Sequence, residues 1–348
     1  RFFADSLIFT GGTVNEVILH DSHFYNEDCI TGCQAHIPDG SVDLIVTDPP
    51  YGIAGDTLHK HYNRNEAFVM DGYIEVPAAD YGDFSRRWIA EAARILRPNG
   101  AIYIVSGYTQ LYHVLAALRA TDLLEVNHLI WKYNFGVFTR TKYVSSHYHI
   151  LYYEKPGPGK RTFNLTCRYG LRENAPDGGS LNYQDREDVW IINREYKPGQ
   201  VKNKNELPTA LLIKMLQYSS HEGDLICDPF LGGFSTARVA LGLNRRCVGF
   251  ELSPAAFDRG VALLRTLTPG DLLGQLRQPE TETLANQGRS WDEAEITALL
   301  ARYEALRAEG RTKKAAFEIL SAEFGRGRWA LERILKRQRG ATDGDPVG

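Results

Sequence analysis

The sequence predicts an α/β protein: a mostly parallel sheet covered by helices on both faces, with a small helical domain after it. Three observations lead there. From about residue 17, short apolar runs alternate with amphipathic stretches of helix length, the pattern of a sheet built from strand–helix–strand units. Three of those runs end in an acid, at Asp48, Asp228 and Glu251. Past residue 289 the alternation gives way to helical spacing alone.

Taken in order, residues 42–47 (VDLIVT) form the first clear buried strand. The segment "FSRRWIAEAARILRPNG" places Trp88, Ala92, Ile95 and Leu96 on one helical face and stops at Pro98-Asn99-Gly100. Residues 101–107 (AIYIVSG) make the next strand, and Gln110 to Arg119 a further amphipathic helix. Residues 125–131 and 147–155 read as the two strands of a terminal antiparallel hairpin. Between 155 and 203 the periodicity fades into a Gly-, Pro-, Arg- and Asn-rich excursion, and such segments tend to carry function. Order resumes with a helix at Pro208, a strand at 225–228, a helix from Ser235, a strand at 246–251 and a helix opened by Ser253-Pro254.

The first domain thus runs over residues 1–267, and 268–289 read as a linker. Ser290 and Glu293 then form a capping box for a helix carrying Ile296, Leu299, Leu300, Tyr303 and Leu306. Thr312 caps a second helix, and 328–337 make a third, strongly basic one. Over 290–339 this is a helix-turn-helix-like DNA-binding unit, or else a plain helical cap or dimerisation element. Residues 340–348 read as a disordered tail.

With 348 residues, 43% hydrophobic and 24% charged, the chain has the composition of a soluble globular protein. No apolar run approaches the roughly 18 residues that span a bilayer, and "RFFADSLIFTGG" lacks the layout of a secretory signal. The five cysteines form no CxxC pair and no zinc-spaced cluster. A reduced, cytoplasmic protein with no metal and no membrane partner is expected. The net charge of −3 hides two basic islands. Residues 132–173 carry eight Lys or Arg against two Glu, and 311–340 carry nine against three. Such a distribution suits one cationic face.

"VDLIVTDPPYGI" (42–53) ends a strand in Asp48-Pro49-Pro50-Tyr51. Two prolines cannot continue a sheet, so the ending is a stiff, extended corner. Its counterpart is "GDLICDPFLGGFSTARVALGLNRRCVGFELSP" (223–254). There a strand ends at Asp228, a turn holds Gly232-Gly233, Ser235-Thr236 open a helix, and Glu251 ends the next strand 23 residues after Asp228. Glycines let backbone approach a ligand, and an acid after the next strand can hold ribose hydroxyls. The GxGxxG of a dinucleotide site is absent, and no P-loop lysine follows. An acid at the first turn disfavours a phosphate and favours a ligand with a cationic part and a ribose, as in S-adenosylmethionine.

Together, DPPY after an apolar strand and DPFLGGFST…GFELSP some 180 residues later resemble the amino-methylating DNA methyltransferases (N6-adenine or N4-cytosine). The catalytic motif precedes the cofactor motif with a basic variable segment between, which is similar to the β group of that family, whose motif order is permuted. The likeness covers roughly residues 22–265. It implies a Rossmann-like methyltransferase fold, S-adenosylmethionine as cofactor and double-stranded DNA as partner. A homodimer and a cognate restriction endonuclease are further partner candidates. Two departures stand out. Phe234 occupies a position where glycine is commoner, and Leu207-Pro208 replaces the usual lysine-proline.

The implied roles follow residue by residue. Asp48 and the Pro49 carbonyl would accept the hydrogens of an exocyclic amino group, Pro50 would stiffen the corner, and Tyr51 would offer a ring to a base taken out of the duplex. Asp228, Phe230, Gly232, Gly233, Ser235 and Thr236 would hold the methionine part of the cofactor, and Glu251 the ribose. Asp28 is a candidate for the adenine amino group or a helix cap. A flap is expected over 54–80 with His59, Lys60, His61 and Arg64, the histidines being flap residues rather than metal ligands. Target recognition falls at about 155–203. Lys132, Arg140, Lys142, Lys160, Arg161, Arg168, Arg172, Arg328, Arg333, Lys336 and Arg337 are candidate DNA contacts, interleaved with Tyr133, Phe135, Phe138, Tyr143 and Phe163. Tyr148 and Tyr152 read as core.

Asp in the first motif position leans towards adenine over cytosine N4 within the family. A nicotinamide dehydrogenase leaves the Pro-Pro corner unexplained, and a protein-glutamine methyltransferase would carry its cofactor motif first. A DNA-binding regulator with a degenerate methylase domain is the non-enzyme alternative.

Overall fold

The computed structural model describes residues 15–52, 76–134, 136, 140–195, 206–280, 285–286 and 289–342. His59, Lys60, His61 and Arg64 of the expected flap, and Phe135 and Phe138, lie outside the described residues. The chain divides into two compact units between Pro279 and Glu280.

The first unit is built on a nine-stranded sheet. Its strands are β1 (Asn15–Leu19), β2 (Ser22–Asn26), β3 (Val42–Thr47), β4 (Leu96–Ser106), β5 (Leu124–Lys132), β6 (His147–Glu154), β7 (Val189–Ile191), β8 (Leu225–Asp228) and β9 (Arg246–Phe250). They lie in the order β1-β2-β9-β8-β3-β4-β6-β5-β7. The five strands from β2 to β4 in that order are mutually parallel, and β6 and β5 form an antiparallel hairpin beyond them. The expected mixed sheet is therefore present. The hairpin does not end it, however, because β7 pairs in parallel with the outer edge of β5. A three-residue strand carries too little pattern to stand out in a Gly/Pro-rich segment.

Helices cover both faces, as parallel strands with two apolar faces require. Leu44 and Val46 of β3 face a cluster with Leu211, Leu212 and Met215 of α5 (Thr209–Ser219), Ala237 and Ala240 of α6 (Ser235–Gly242) and Val261 of α7 (Pro254–Arg265). Ile45, pointing the other way, joins Ile30 of α1 (Cys29–His36), Trp88 and Ile89 of α2 (Tyr81–Ile95), and Val114 of α3 (Leu111–Arg119). Each Leu, Ile, Val or Met among them taken from water contributes about 1.5–3 kcal/mol. A short α4 (Leu181–Asp185) sits in the 155–203 excursion. Leu272, Leu273 and Leu276, beyond α7, pack against the first cluster.

The second unit contains α8 (Glu293–Ala308), α9 (Lys313–Phe324) and α10 (Arg328–Thr342) around Leu299, Tyr303, Phe317, Leu320, Leu331 and Leu335. Asp292, not Ser290, caps α8, its carboxylate accepting from the Glu295 amide. The Ser290 carbonyl instead accepts from Arg326, which is buried in a salt bridge with Glu295. Ser290 is thereby held outside the helix, which begins three residues later at Glu293. Thr312 caps α9 as expected. Among the described residues no helix is long and apolar enough to cross a membrane.

Candidate active site

Adjacent strands bring the two acidic motifs together although 180 residues separate them. Asp48 follows β3 and Asp228 ends β8, its neighbour. The Thr47 hydroxyl donates to Asp228 Oδ1 at 2.8 Å, which also accepts the Phe230 amide at 3.1 Å. Asp228 is fully buried, and burial pushes its carboxyl up to about 6 against the hydrogen bonds from Thr236 and Thr47.

The Pro-Pro corner is locked from below. Tyr81 Oη of α2 donates to the Pro50 carbonyl at 2.8 Å, and Gln110 Nε2 to the Gly52 carbonyl at 3.1 Å. Gly52 has φ +61°, and a Cβ there would stand 2.3 Å from Tyr81 Cδ2, so only glycine fits. Tyr51 Oη donates to Asp48 Oδ1 at 2.5 Å, and its ring stacks on Tyr148 with centres 5.6 Å apart. Burial pushes the Asp48 carboxyl up to about 7, with the Asp228 charge adding to the effect and the Tyr51 bond and Arg194 opposing it.

On the cofactor side, Glu251 lies just past β9. Its Oε2 accepts the Gly232 amide at 2.9 Å and its Oε1 the Ser253 amide at 2.8 Å. Burial raises its carboxyl above the ordinary range. A Cβ at Gly233 would lie 2.3 Å from Glu206 Oε1, so a side chain there would have to displace the Glu206 carboxylate. Phe230 packs edge-on against Trp88 at 5.3 Å. Ser235 and Thr236 are buried at the start of α6. The departure at Phe234 has a physical compensation. Phe234 takes φ +61° as the residue before α6, a costly conformation for a bulky side chain, and its ring is wholly buried against Phe24, Phe257 and Gly260. Asp28 caps α1, its Oδ1 accepting the Ile30 and Thr31 amides at 3.1 Å. One buried and several half-buried acids at the carboxyl ends of neighbouring strands, with glycines and backbone amides between them, fit a ligand that carries cationic and hydroxyl groups.

The basic candidates divide. Lys132, Arg140, Lys142, Lys160 and Arg172 are exposed, as are Arg328, Arg333, Lys336 and Arg337 of α10. Arg161 and Arg168 are drawn inward. Arg161 donates to Tyr152 Oη and Glu154 Oε2 at 3.1 Å, and Arg168 to Asp185 at 3.0 Å and Gln217 at 3.2 Å, so these two brace the fold. Tyr152 is core, stacked on Tyr103 at 4.2 Å. Tyr148 is half-buried, packing on the margin of the first core cluster beside Trp131 and Tyr133, and its ring also lines the corner against Tyr51. Thr47, Tyr81, Gln110, Tyr148 and Arg194 all serve this site, and no local pattern in the sequence marks them.

An acid–Pro–Pro corner after β3 and an acid–glycine–acid cradle on β8 and β9, in that chain order, fit a Rossmann-like methyltransferase. The N6/N4 DNA methylase family model matches residues 42–261, and the chain belongs to that family. As a DNA methyltransferase it takes its methyl group from S-adenosylmethionine. It is 27% identical over 253 residues to the type II methyltransferase M.HinfI of Haemophilus influenzae, covering 70% of this chain and 68% of that protein. It is 30% identical over 227 residues to M.HpaI of Haemophilus parainfluenzae, covering 63% and 66%. The fold is similar to PvuII DNA methyltransferase (cytosine-N4-specific), with a TM-score of 0.53 and 14% identity over 71% of this chain and 86% of that one.

Proposed function

We propose that the protein methylates the exocyclic N6 of an adenine turned out of duplex DNA. The observation that carries this reading is the half-buried Asp48, hydrogen-bonded to a ring hydroxyl, one strand away from the acid–glycine–acid cradle. An exocyclic amino nitrogen is a poor nucleophile because its lone pair is conjugated with the base. Asp48 and the Pro49 carbonyl accept its two hydrogens, draw the nitrogen towards tetrahedral geometry and stabilise the positive charge that develops on it. The Tyr51 hydroxyl holds the Asp48 carboxylate until the amino group takes its place, and the Tyr51 ring receives the base.

S-adenosylmethionine supplies an electrophilic methyl on a sulfonium. Transfer of that methyl to the nitrogen would leave the carbon–sulfur electron pair on the departing thioether, S-adenosylhomocysteine, and the surplus proton of the nitrogen would pass to Asp48 or to solvent. Asp228, Phe230, Gly232, Gly233, Ser235 and Thr236 would hold the methionine end, Glu251 would bind the ribose hydroxyls, and Asp28 would meet the adenine amino group with the carboxylate that caps α1. Lys132, Arg140, Lys142, Lys160 and Arg172 contact phosphates, with recognition in the 155–203 excursion, and Arg328, Arg333, Lys336 and Arg337 of α10 add a second DNA contact. A cytoplasmic location beside the chromosome follows.

The test is incubation of amino-unmethylated DNA with labelled cofactor, digestion to nucleosides and identification by mass. N6-methyladenine is the expected product. N4-methylcytosine would move the same chemistry to the other base, and 5-methylcytosine would refute the mechanism. Asp48→Ala should end transfer while DNA binding persists. A DNA-binding regulator would lose nothing.

A further inference from the structure

β7 does more than widen the sheet. The Ile130 amide donates to Asp188, the Ile192 amide to Lys132 and the Trp131 indole to the Ile192 carbonyl at 2.8 Å, so residues 188–192 are sewn along β5. Two residues on, Arg194 enters a cage of three rings. Its guanidinium carbon lies 4.6 Å from the centre of Tyr133, 5.5 Å from Tyr148 and 5.9 Å from Trp131. Nη2 donates to Tyr148 Oη at 3.2 Å. Trp131 and Tyr148 are themselves stacked at 5.6 Å, and Tyr148 in turn stacks on Tyr51, whose hydroxyl bonds Asp48. A continuous series of contacts therefore runs from the variable excursion to the catalytic carboxylate.

We infer that Arg194 is a positioning residue for methyl transfer, holding the Tyr148–Tyr51 stack in register and keeping a positive charge beside the Asp48 carboxylate. The inference rests on the methyl-transfer reading above. Among the described residues, the charged and titratable groups acting on Asp48 are Tyr51, Asp228 and Arg194, and of these Arg194 is the cation. Those acting on Tyr148 are Arg194, Asp48 and Tyr133. Asp228 pushes Asp48 towards its protonated form, and Arg194 opposes it. A planar guanidinium suits the place because it stacks on rings and donates to the Tyr148 hydroxyl at once.

The test is the pH profile of methyl transfer at low concentrations of genomic DNA from a strain lacking amino-base methylation. Arg194→Gln keeps a planar donor and removes the charge. Its acidic limb should move up by about one pH unit, the low end of the effect of a neighbouring opposite charge. With the wild-type limb near 7, that is about a ninefold loss at pH 6 and near parity at pH 9. A loss by the same factor at every pH, or an unchanged profile, would reduce Arg194 to packing and overturn the inference. Arg194→Lys keeps the charge and should retain the wild-type limb, and a displaced limb in that variant overturns the inference independently. A wild-type protein that methylates no amino base would instead remove the reading beneath it.

Discussion

Asp48→Asn separates the chemistry of the corner from its cost to the fold. Burial pushes the Asp48 carboxyl from its ordinary 3.8 up to about 7. Between those values the folded protein holds a proton that the unfolded chain has released. Asp48 therefore costs the fold stability as pH rises through that interval, and the cost is complete above about 7. Over about three pH units at about 1.4 kcal/mol each, the ionised carboxylate costs about 4 kcal/mol at pH 8.5. An amide still accepts the Tyr51 hydroxyl but brings an N–H of its own into the buried corner, which returns part of that gain. A net stabilisation of about 1–2 kcal/mol is expected, a rise of about 4 °C in the Tm of the large unit. Thermal unfolding of both proteins at pH 8.5 and pH 5.5 reads it. The advantage should shrink at pH 5.5, where the wild-type carboxyl carries its own proton, and the variant should transfer no methyl at either pH. A variant that melts below wild type at pH 8.5, or by the same margin above it at both pH values, would refute the account of a desolvated carboxylate.

Four further changes test other parts of the molecule. Gly52→Ala must take a positive φ and meet Tyr81, at a cost of about 1–2 kcal/mol in the corner alone. Methyl transfer should fall about tenfold or more while calorimetric cofactor affinity holds, and unchanged turnover would show the corner is not rigid. Glu251→Gln should weaken S-adenosylmethionine binding about tenfold or more by calorimetry, and wild-type affinity would remove Glu251 from the ribose. Lys160 and Arg161 adjoin in sequence but differ in setting. Lys160→Ala should lower the salt dependence of DNA binding by about one unit of slope with Tm unchanged. Arg161→Ala should lower Tm by a few degrees with the slope unchanged, and the reverse pattern would exchange their roles.

Much of the sheet was legible because parallel strands with two buried faces read as short, continuous apolar runs. VDLIVT matches β3 residue for residue, and LICD matches β8. The acids at 48, 228 and 251 were legible because each follows such a run and precedes a turn. What stayed hidden depends on contacts far apart in the chain. β7 has three residues and joins the sheet through β5, a partner that local pattern does not reveal. Arg194 reads in the sequence like any solvated cation, and the distant rings of Trp131, Tyr133 and Tyr148 that surround it are not marked by local pattern. Ser290 and Asp292 are both good caps, and choosing between them takes the Arg326 contact that holds Ser290 outside the helix. Phe234 at a left-handed position breaks a local rule that the space over Gly260 repays.

The Thr47–Asp228 hydrogen bond ties the tips of two neighbouring strands whose sequence positions are 180 residues apart. Asp48 and Asp228 therefore stand at the ends of adjacent strands, whose spacing of about 4.8 Å is set by backbone hydrogen bonding rather than by any loop. On the proposed reading, the chain between them can vary while the spacing of these two strand ends stays constant. Exchanging the 155–187 stretch for that of a relative should redirect the enzyme to other sites without slowing the chemical step.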